Sequence, residues 1–221
     1  MGKTVVSYPK CHGEFETIRA VRKGRSLSRI GDGEAKIAFG HGYSREPRNP
    51  KLTEEIRGVI FNPNPGCLVG IPTMDPNGIR YWNWSRHLVR YEGLFPENGK
   101  FYSAFIGRPC CAQWIDCKEY VQSVAELWKD KHVAVVCEAN GSILKAVAYG
   151  ARKIDHVECL FEQAYSRIDE YEEAVVALKP DIAILSAGPT ATCLANRLQG
   201  RGVQAIDLGS GGKFYTRWLE S

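Results

Sequence analysis

From residue 132 onward, short apolar runs alternate with helix-patterned segments, and that alternation admits very few folds. His132-Val133-Ala134-Val135-Val136-Cys137-Glu138 is an almost unbroken apolar run ending in an acid, the pattern of a strand buried on both faces. Residues 142–151 then place Ile143, Ala146 and Val147 on one helical face, and 154–160 form a second strand candidate. Residues 170–178 carry Tyr171, Ala174, Val175 and Leu178 at helical spacing. Asp181-Ile182-Ala183-Ile184-Leu185-Ser186-Ala187 is the clearest strand of the chain. A helix over 191–198, closed by Gly200 and Gly202, leads to a last strand at 203–208. Strands that alternate with helices predict an α/β, Rossmann-like architecture: a mostly parallel sheet with helices on both faces.

The first half is less regular but compatible. Helices are expected over 14–23, 52–61, 84–91 and 118–128, and strands over 27–30, 67–71 and 101–106. Phe61-Asn62-Pro63-Asn64-Pro65-Gly66 and residues 72–78 are turn chemistry. The polar stretch 41–50, with its glycine and prolines, is expected to be a mobile loop beside a site. The length of 221 residues suits one domain, and no linker or repeat divides the chain.

Composition excludes several classes of function. No segment approaches the roughly 20 apolar residues that span a bilayer, and the N-terminus has neither the apolar core nor the cleavage site of a signal peptide. The myristoylation pattern is not met either, so no membrane anchor is expected. A net charge of +4 is too mild to imply nucleic acid. Its only dense basic cluster is Arg19, Arg22, Lys23, Arg25 and Arg29, whose helical spacing suggests a solvated face more than an anion-docking patch. The eight cysteines contain no C-x-x-C and no zinc-finger partner histidine. Reduced thiols in a cytoplasmic protein are the expectation, with Cys137, Cys159 and Cys193 buried in apolar runs and no role for Cys110-Cys111.

Ligands of open parallel sheets bind beyond the carboxyl ends of strands, and three such ends carry chemistry here. In Arg29-Ile30-Gly31-Asp32-Gly33-Glu34, two carboxylates flank a glycine where a strand hands over to a helix. Gly33 would let the backbone turn both carboxylates toward one divalent cation. The simpler alternative makes Asp32 a helix cap and Glu34 a complement to the helix dipole. The second end is Glu138-Ala139-Asn140-Gly141-Ser142. The third is Ser186-Ala187-Gly188-Pro189-Thr190-Ala191-Thr192, which has a glycine for close approach, a proline suited to the first helical position, and two hydroxyls. Such a start favours an anion, though a well-capped helix has the same pattern. The chain has no G-x-G-x-x-G after a strand and no true phosphate loop. Gly209-Ser210-Gly211-Gly212-Lys213 looks like one superficially, but no helix is expected after it.

The hexapeptide resembles the R-[FI]-G-D-G-E segment of the GT-D type of glycosyltransferases, whose metal signature is D-x-E. Gly188-Pro189-Thr190-Ala191-Thr192, Leu194-Ala195 and Gly202-Val203-Gln204-Ala205-Ile206-Asp207-Leu208-Gly209 are similar to that family's G-P-T-A…L-A…G-x-Q-A-[IL]-D-[IL]-G block. Phe105-Ile106-Gly107-Arg108-Pro109 is similar to its F-I-x-R-P segment. Order and spacing match over roughly residues 25–218, so that one GT-D-like domain over 1–221 is expected.

The resemblance implies a Rossmann-like enzyme that moves a sugar from a nucleotide diphosphate sugar, with a UDP-sugar the first expectation, to a glycan or glycoprotein acceptor. It implies that Asp32 and Glu34 hold a divalent metal, Mn²⁺ or Mg²⁺, at the diphosphate. Two positions depart from the family pattern: Ser210 stands where a histidine is frequent, and Glu138 is followed by Ala139-Asn140-Gly141 instead of glycine. Both concern the acceptor side and any base; the metal pair is intact.

Arg29 and Arg108 are the next candidates, as forked donors to phosphate oxygens. Gly31, Gly33, Gly188, Pro189 and Thr190 complete the expected nucleotide-sugar contacts. For a general base, Glu138 and Asp207 each end a strand, although Asp207 is as well suited to holding a neighbouring loop amide. Tyr81-Trp82-Asn83-Trp84 suits either a stacking surface or a packing anchor, with Asp75 and Asn77 in the preceding loop. Two other functions compete. A methyltransferase would use Glu138 at its strand end but lacks the expected glycine pair and leaves Asp32-Gly33-Glu34 unexplained. A noncatalytic nucleotide-binding module would use the carboxylates as helix caps.

Overall fold

The computed structural model describes residues 8–73, 93–96, 98–108 and 116–219. Along the chain run α1 (Glu14–Arg22), β1 (Ser26–Arg29), α2 (Asp32–Ala38), α3 (Pro50–Phe61), β2 (Cys67–Ile71) and β3 (Phe101–Ser103). Then come α4 (Cys117–Ala125), β4 (His132–Cys137), α5 (Ser142–Ala148), β5 (Lys153–Glu158), α6 (Ile168–Leu178), β6 (Ile182–Ser186), α7 (Pro189–Gly200), β7 (Ala205–Asp207) and α8 (Gly212–Leu219). The helix expected over 84–91, Tyr81 to Trp84, Asp75, Asn77 and Cys110-Cys111 lie outside the described residues.

The seven strands among the described residues join one sheet in the order β3-β2-β1-β7-β6-β4-β5, and every neighbouring pair is parallel. The period-2 alternation within the apolar runs divides the core. Val133, Val135, Ile182 and Ile184 pack toward α1, α4, α5 and α8. Ala134, Val136, Ala183 and Leu185 pack toward α2, α3, α6 and α7. Apolar cover on both faces is why these strands read as continuous runs. At one edge, β5 presents exposed Lys153 and Glu158, charges that discourage further strand pairing.

The topology sets the site. From β1 the chain moves outward to β2 and β3, restarts at β4 and β5 on the other side, and returns through β6 to β7 beside β1. The first and last strands are thus neighbours, and their carboxyl ends mark the point where the connections diverge, the usual ligand position in such sheets.

Three differences from expectation bear on the site. β3 ends at Ser103, because the Ser103 hydroxyl accepts the Phe105 amide at 3.1 Å and starts a 3₁₀ turn over Ala104–Gly107. α7 begins at Pro189, whose fixed φ suits the first helical position. A helix does follow the glycine-rich tail: α8, anchored by fully buried Tyr215. Arg19, Arg22 and Lys23 form the expected exposed face, whereas Arg29 turns inward. Cys137, Cys159 and Cys193 are buried free thiols. No helix among the described residues is long and apolar enough to cross a membrane.

Candidate active site

Arg29 is the last residue of β1 and Asp207 the last of β7, 178 positions away in sequence. Their side chains meet, with Arg29 Nη2 3.3 Å from Asp207 Oδ1. The second nitrogen, Nη1, donates to the Ala104 carbonyl at 3.2 Å, while Nε is buried with no acceptor among the described residues. The guanidinium lies where side chains at Gly107 and Gly209 would otherwise be: a Cβ on either glycine would run into it.

Asp207 is 1% exposed and fully engaged. Its Oδ1 also accepts the Gly209 amide at 2.8 Å, and its Oδ2 lies 3.3 Å from the Thr192 hydroxyl. Burial raises its carboxyl, and Arg29, the Gly209 amide and Thr192 oppose that rise. Of the two roles open to Asp207, the one these contacts display is holding a loop amide and orienting Arg29.

Gly31 is the N-cap of α2, and Asp32 and Glu34 occupy its first turn. Glu34 folds back so that Oε2 accepts the Gly31 amide at 2.8 Å, and a Cβ on Gly31 would lie only 2.9 Å from that oxygen. The capping role therefore falls to Glu34 and not to Asp32. Asp32 Oδ2 accepts the Tyr43 hydroxyl at 3.3 Å. The sequence assigned Gly33 to turning the carboxylates inward, but the first turn of α2 is ordinary helix. Gly33 instead makes room for Tyr43, whose ring carbons would sit 2.5 Å from an added Cβ. Arg108 is exposed and close enough for its charge to offset the rise that burial, Asp32 and Glu34 impose on the Tyr43 phenol.

Desolvation pushes the Glu34 carboxyl up to about 7, the nearby Asp207 charge adds to the rise, and its own amide, Arg29 and the Gly31 amide oppose it. The folded-state value lies above the unfolded one. Any stability tied to this group is therefore full below the ordinary glutamate range and is lost as pH rises through 7. Glu34→Gln, which keeps an acceptor for Gly31, should remove that loss. Glu34 retains some contact with solvent, so about 3 kcal/mol is a ceiling on the gain above pH 8. Urea unfolding at pH 5 and pH 8.5 checks this: the wild type should lose stability between the two more steeply than Glu34→Gln. Parallel curves would refute the assigned shift.

Among the described residues, no three His, Cys, Asp or Glu side chains gather into a metal cage. Two carboxylates without a third protein ligand suit a hard cation that keeps waters and shares phosphate oxygens, as Mg²⁺ and Mn²⁺ do, and do not suit a closed zinc centre. The Arg29 guanidinium in the same cluster adds a positive charge that favours an anion.

The remaining predicted residues form a second group further along the sheet. Glu138, at the end of β4, pairs with Arg45 at 2.5 Å on the rim, and the Arg45 guanidinium sits 3.2 Å from the ring centre of Phe161. Gly188 has φ +57, a conformation that favours glycine, and Pro189 follows it into α7. The Thr190 hydroxyl donates to Glu46 Oε1 at 3.0 Å, so a phosphate there would have to displace Glu46. The loop 41–50 does lie beside the site. It is tied down, however, by paired Tyr43–Glu46 backbone bonds of 2.8 Å and by the Gln163 amide on the Arg45 carbonyl. The sequence pointed to the Thr192 hydroxyl but not to its place beside Asp207, and it gave no sign of Tyr43, Arg45 or Glu46. It also missed the space-making role of Gly107 and Gly209.

The model of the glycosyltransferase GT-D fold family matches residues 27–221. The chain belongs to that family. The probable glycosyl transferase Gly of Streptococcus gordonii is 28% identical over 207 residues, 86% of this chain and 30% of that protein. Glycosyltransferase GlyD of Streptococcus pneumoniae serotype 4 is 24% identical over 202 residues, 83% of this chain and 24% of the relative. The GT-D chain thus spans less than a third of either relative's length. A solved structure of the domain of unknown function 1792, described as a distinct glycosyltransferase fold, superposes with a TM-score of 0.83 at 27% identity, covering 96% of this chain and 82% of the other. A glycosyltransferase of that domain type from Streptococcus sanguinis shares the fold with a TM-score of 0.79 at 22% identity, covering 96% and 85%.

Proposed function

We propose that this GT-D chain is a metal-dependent glycosyltransferase that moves a sugar from a nucleotide diphosphate sugar, a UDP-sugar first among them, to a glycan or glycoprotein acceptor. The observation that carries this is the convergence of Arg29, Asp32, Glu34 and Asp207 at the β1–β7 switch point of a GT-D fold.

Breaking a glycosidic bond to a diphosphate loads negative charge onto the leaving group. Arg29 meets that charge with a guanidinium held in place by Asp207 and the Ala104 carbonyl. Arg108, exposed beside Tyr43, supplies a second cation from the rim. Asp32 and Glu34 would hold the divalent ion, Mn²⁺ or Mg²⁺, which supplies Lewis-acid neutralisation of the diphosphate. Deprotonation of Glu34, held near neutrality by burial, is then favoured whenever positive charge is placed beside it. Asp207 orients Arg29. Glu138, half-exposed on the rim, is the carboxylate suited to take a proton from an acceptor hydroxyl.

Release of nucleoside diphosphate from a panel of nucleotide sugars, with Mn²⁺ and with EDTA, tests the proposal. Turnover of one donor that stops with EDTA is the expected result. Turnover indifferent to the chelator would remove the metal, and silence across the panel with glycan acceptors present would remove the transferase.

A further inference from the structure

Asp32 sits at the first position of α2, where a short carboxylate can adopt several rotamers, and its Oδ2 accepts the hydroxyl of Tyr43. The Tyr43 ring is itself fixed. It lies flat over Gly33, where any Cβ would meet it, and Lys36 Nζ is 5.0 Å from its centre. Its backbone is one arm of a tight two-residue turn whose other arm is Glu46. Glu46 is only 4% exposed, and its Oε1 accepts both the Thr190 hydroxyl at 3.0 Å and the Tyr165 amide at 3.1 Å. The turn is therefore fastened at one end to the start of α7 and to the segment before α6, and at the other it delivers a phenol to Asp32.

We propose that Tyr43 is a positioning residue for Asp32, set in place by Glu46. The pair acts on the donor site through Asp32 alone, without touching the diphosphate, by selecting the rotamer in which the Asp32 carboxylate faces the ligand. Tyr43 matters in this way only if Asp32 serves the diphosphate site as proposed above.

A double-mutant cycle tests it, read as the dissociation constant of Mn²⁺–UDP by calorimetry for wild type, Tyr43→Phe, Asp32→Asn and the double variant. Loss of one hydrogen bond to a carboxylate should weaken binding by Tyr43→Phe about tenfold in the wild-type background. The same change on top of Asp32→Asn should have no effect. Glu46→Gln, which keeps the shape of the side chain, should weaken binding in the same direction, and again only when Asp32 is present. Ligand-free melting of Tyr43→Phe should stay where it is, which separates positioning from general stability. Equal weakening in both backgrounds, or none in the wild type, overturns the proposal. Wild-type protein that ignores Mn²⁺–UDP, or Asp32→Asn that binds as wild type does, instead refutes the donor-site assignment on which it rests.

Discussion

Asp32→Asn should reduce nucleotide-sugar turnover by on the order of a thousandfold while leaving the fold nearly untouched. The substitution preserves shape and keeps an acceptor for the Tyr43 hydroxyl, so the Tyr43–Gly33 packing has no reason to move. What it removes is the negative charge with which, on the reading proposed above, Asp32 would hold the divalent ion at the diphosphate. An interaction realised as charge develops on the leaving group lowers kcat, whereas one made equally to the bound donor raises only KM. The expected pattern is a large fall in kcat, an unchanged circular-dichroism spectrum and an unchanged ligand-free melting temperature. Near-normal kcat would take Asp32 out of the chemistry.

Gly209→Ala should be strongly destabilising. Gly209 has φ +49, and its missing Cβ is the space the Arg29 guanidinium occupies. Left-handed backbone alone costs an alanine roughly 1–2 kcal/mol. Displacing Arg29 also strips Asp207, 1% exposed, of its cation, and an uncompensated buried charge costs about 3–5 kcal/mol. Gly202→Ala is the natural control, because Gly202 also has positive φ but opens onto free space. Urea midpoints should fall far more for Gly209→Ala than for Gly202→Ala. Equal falls would mean that the Arg29–Asp207 pair contributes little.

The fold was legible because β4, β6 and their neighbours are buried on both faces, so that strand identity is written locally as apolar runs. α8 was not, since its first residue is a glycine whose value lies in close approach: a Cβ on Gly212 would collide with the Ile143 backbone of α5. The end of β3 was hidden because Phe105 and Ile106 continue the apolar run, and only the Ser103 side chain marks the turn. At the site, Asp32 and Glu34 could be found because their spacing is local and the family segment is specific. The inward turn of Arg29, cradled at Gly107 and Gly209, depends on its contacts with Asp207 and Ala104, 178 and 75 positions away, which no window on the sequence holds. Tyr43 and Glu46 were the least visible. They lie in an irregular loop without periodicity, and their meaning comes wholly from Asp32, Thr190 and Tyr165.

A metal-assisted diphosphate site at the β1–β7 switch point should bind a nucleoside diphosphate only when the divalent ion is present. Thermal unfolding with uridine, guanosine, cytidine and thymidine diphosphates, each with Mn²⁺ and with EDTA, tests it most directly, because a ligand that binds only the folded protein raises its melting temperature. Stabilisation by one nucleotide, lost with EDTA and diminished in Asp32→Asn, is the expected result. No shift with any nucleotide at millimolar concentration, or a shift that survives both EDTA and Asp32→Asn, would contradict it.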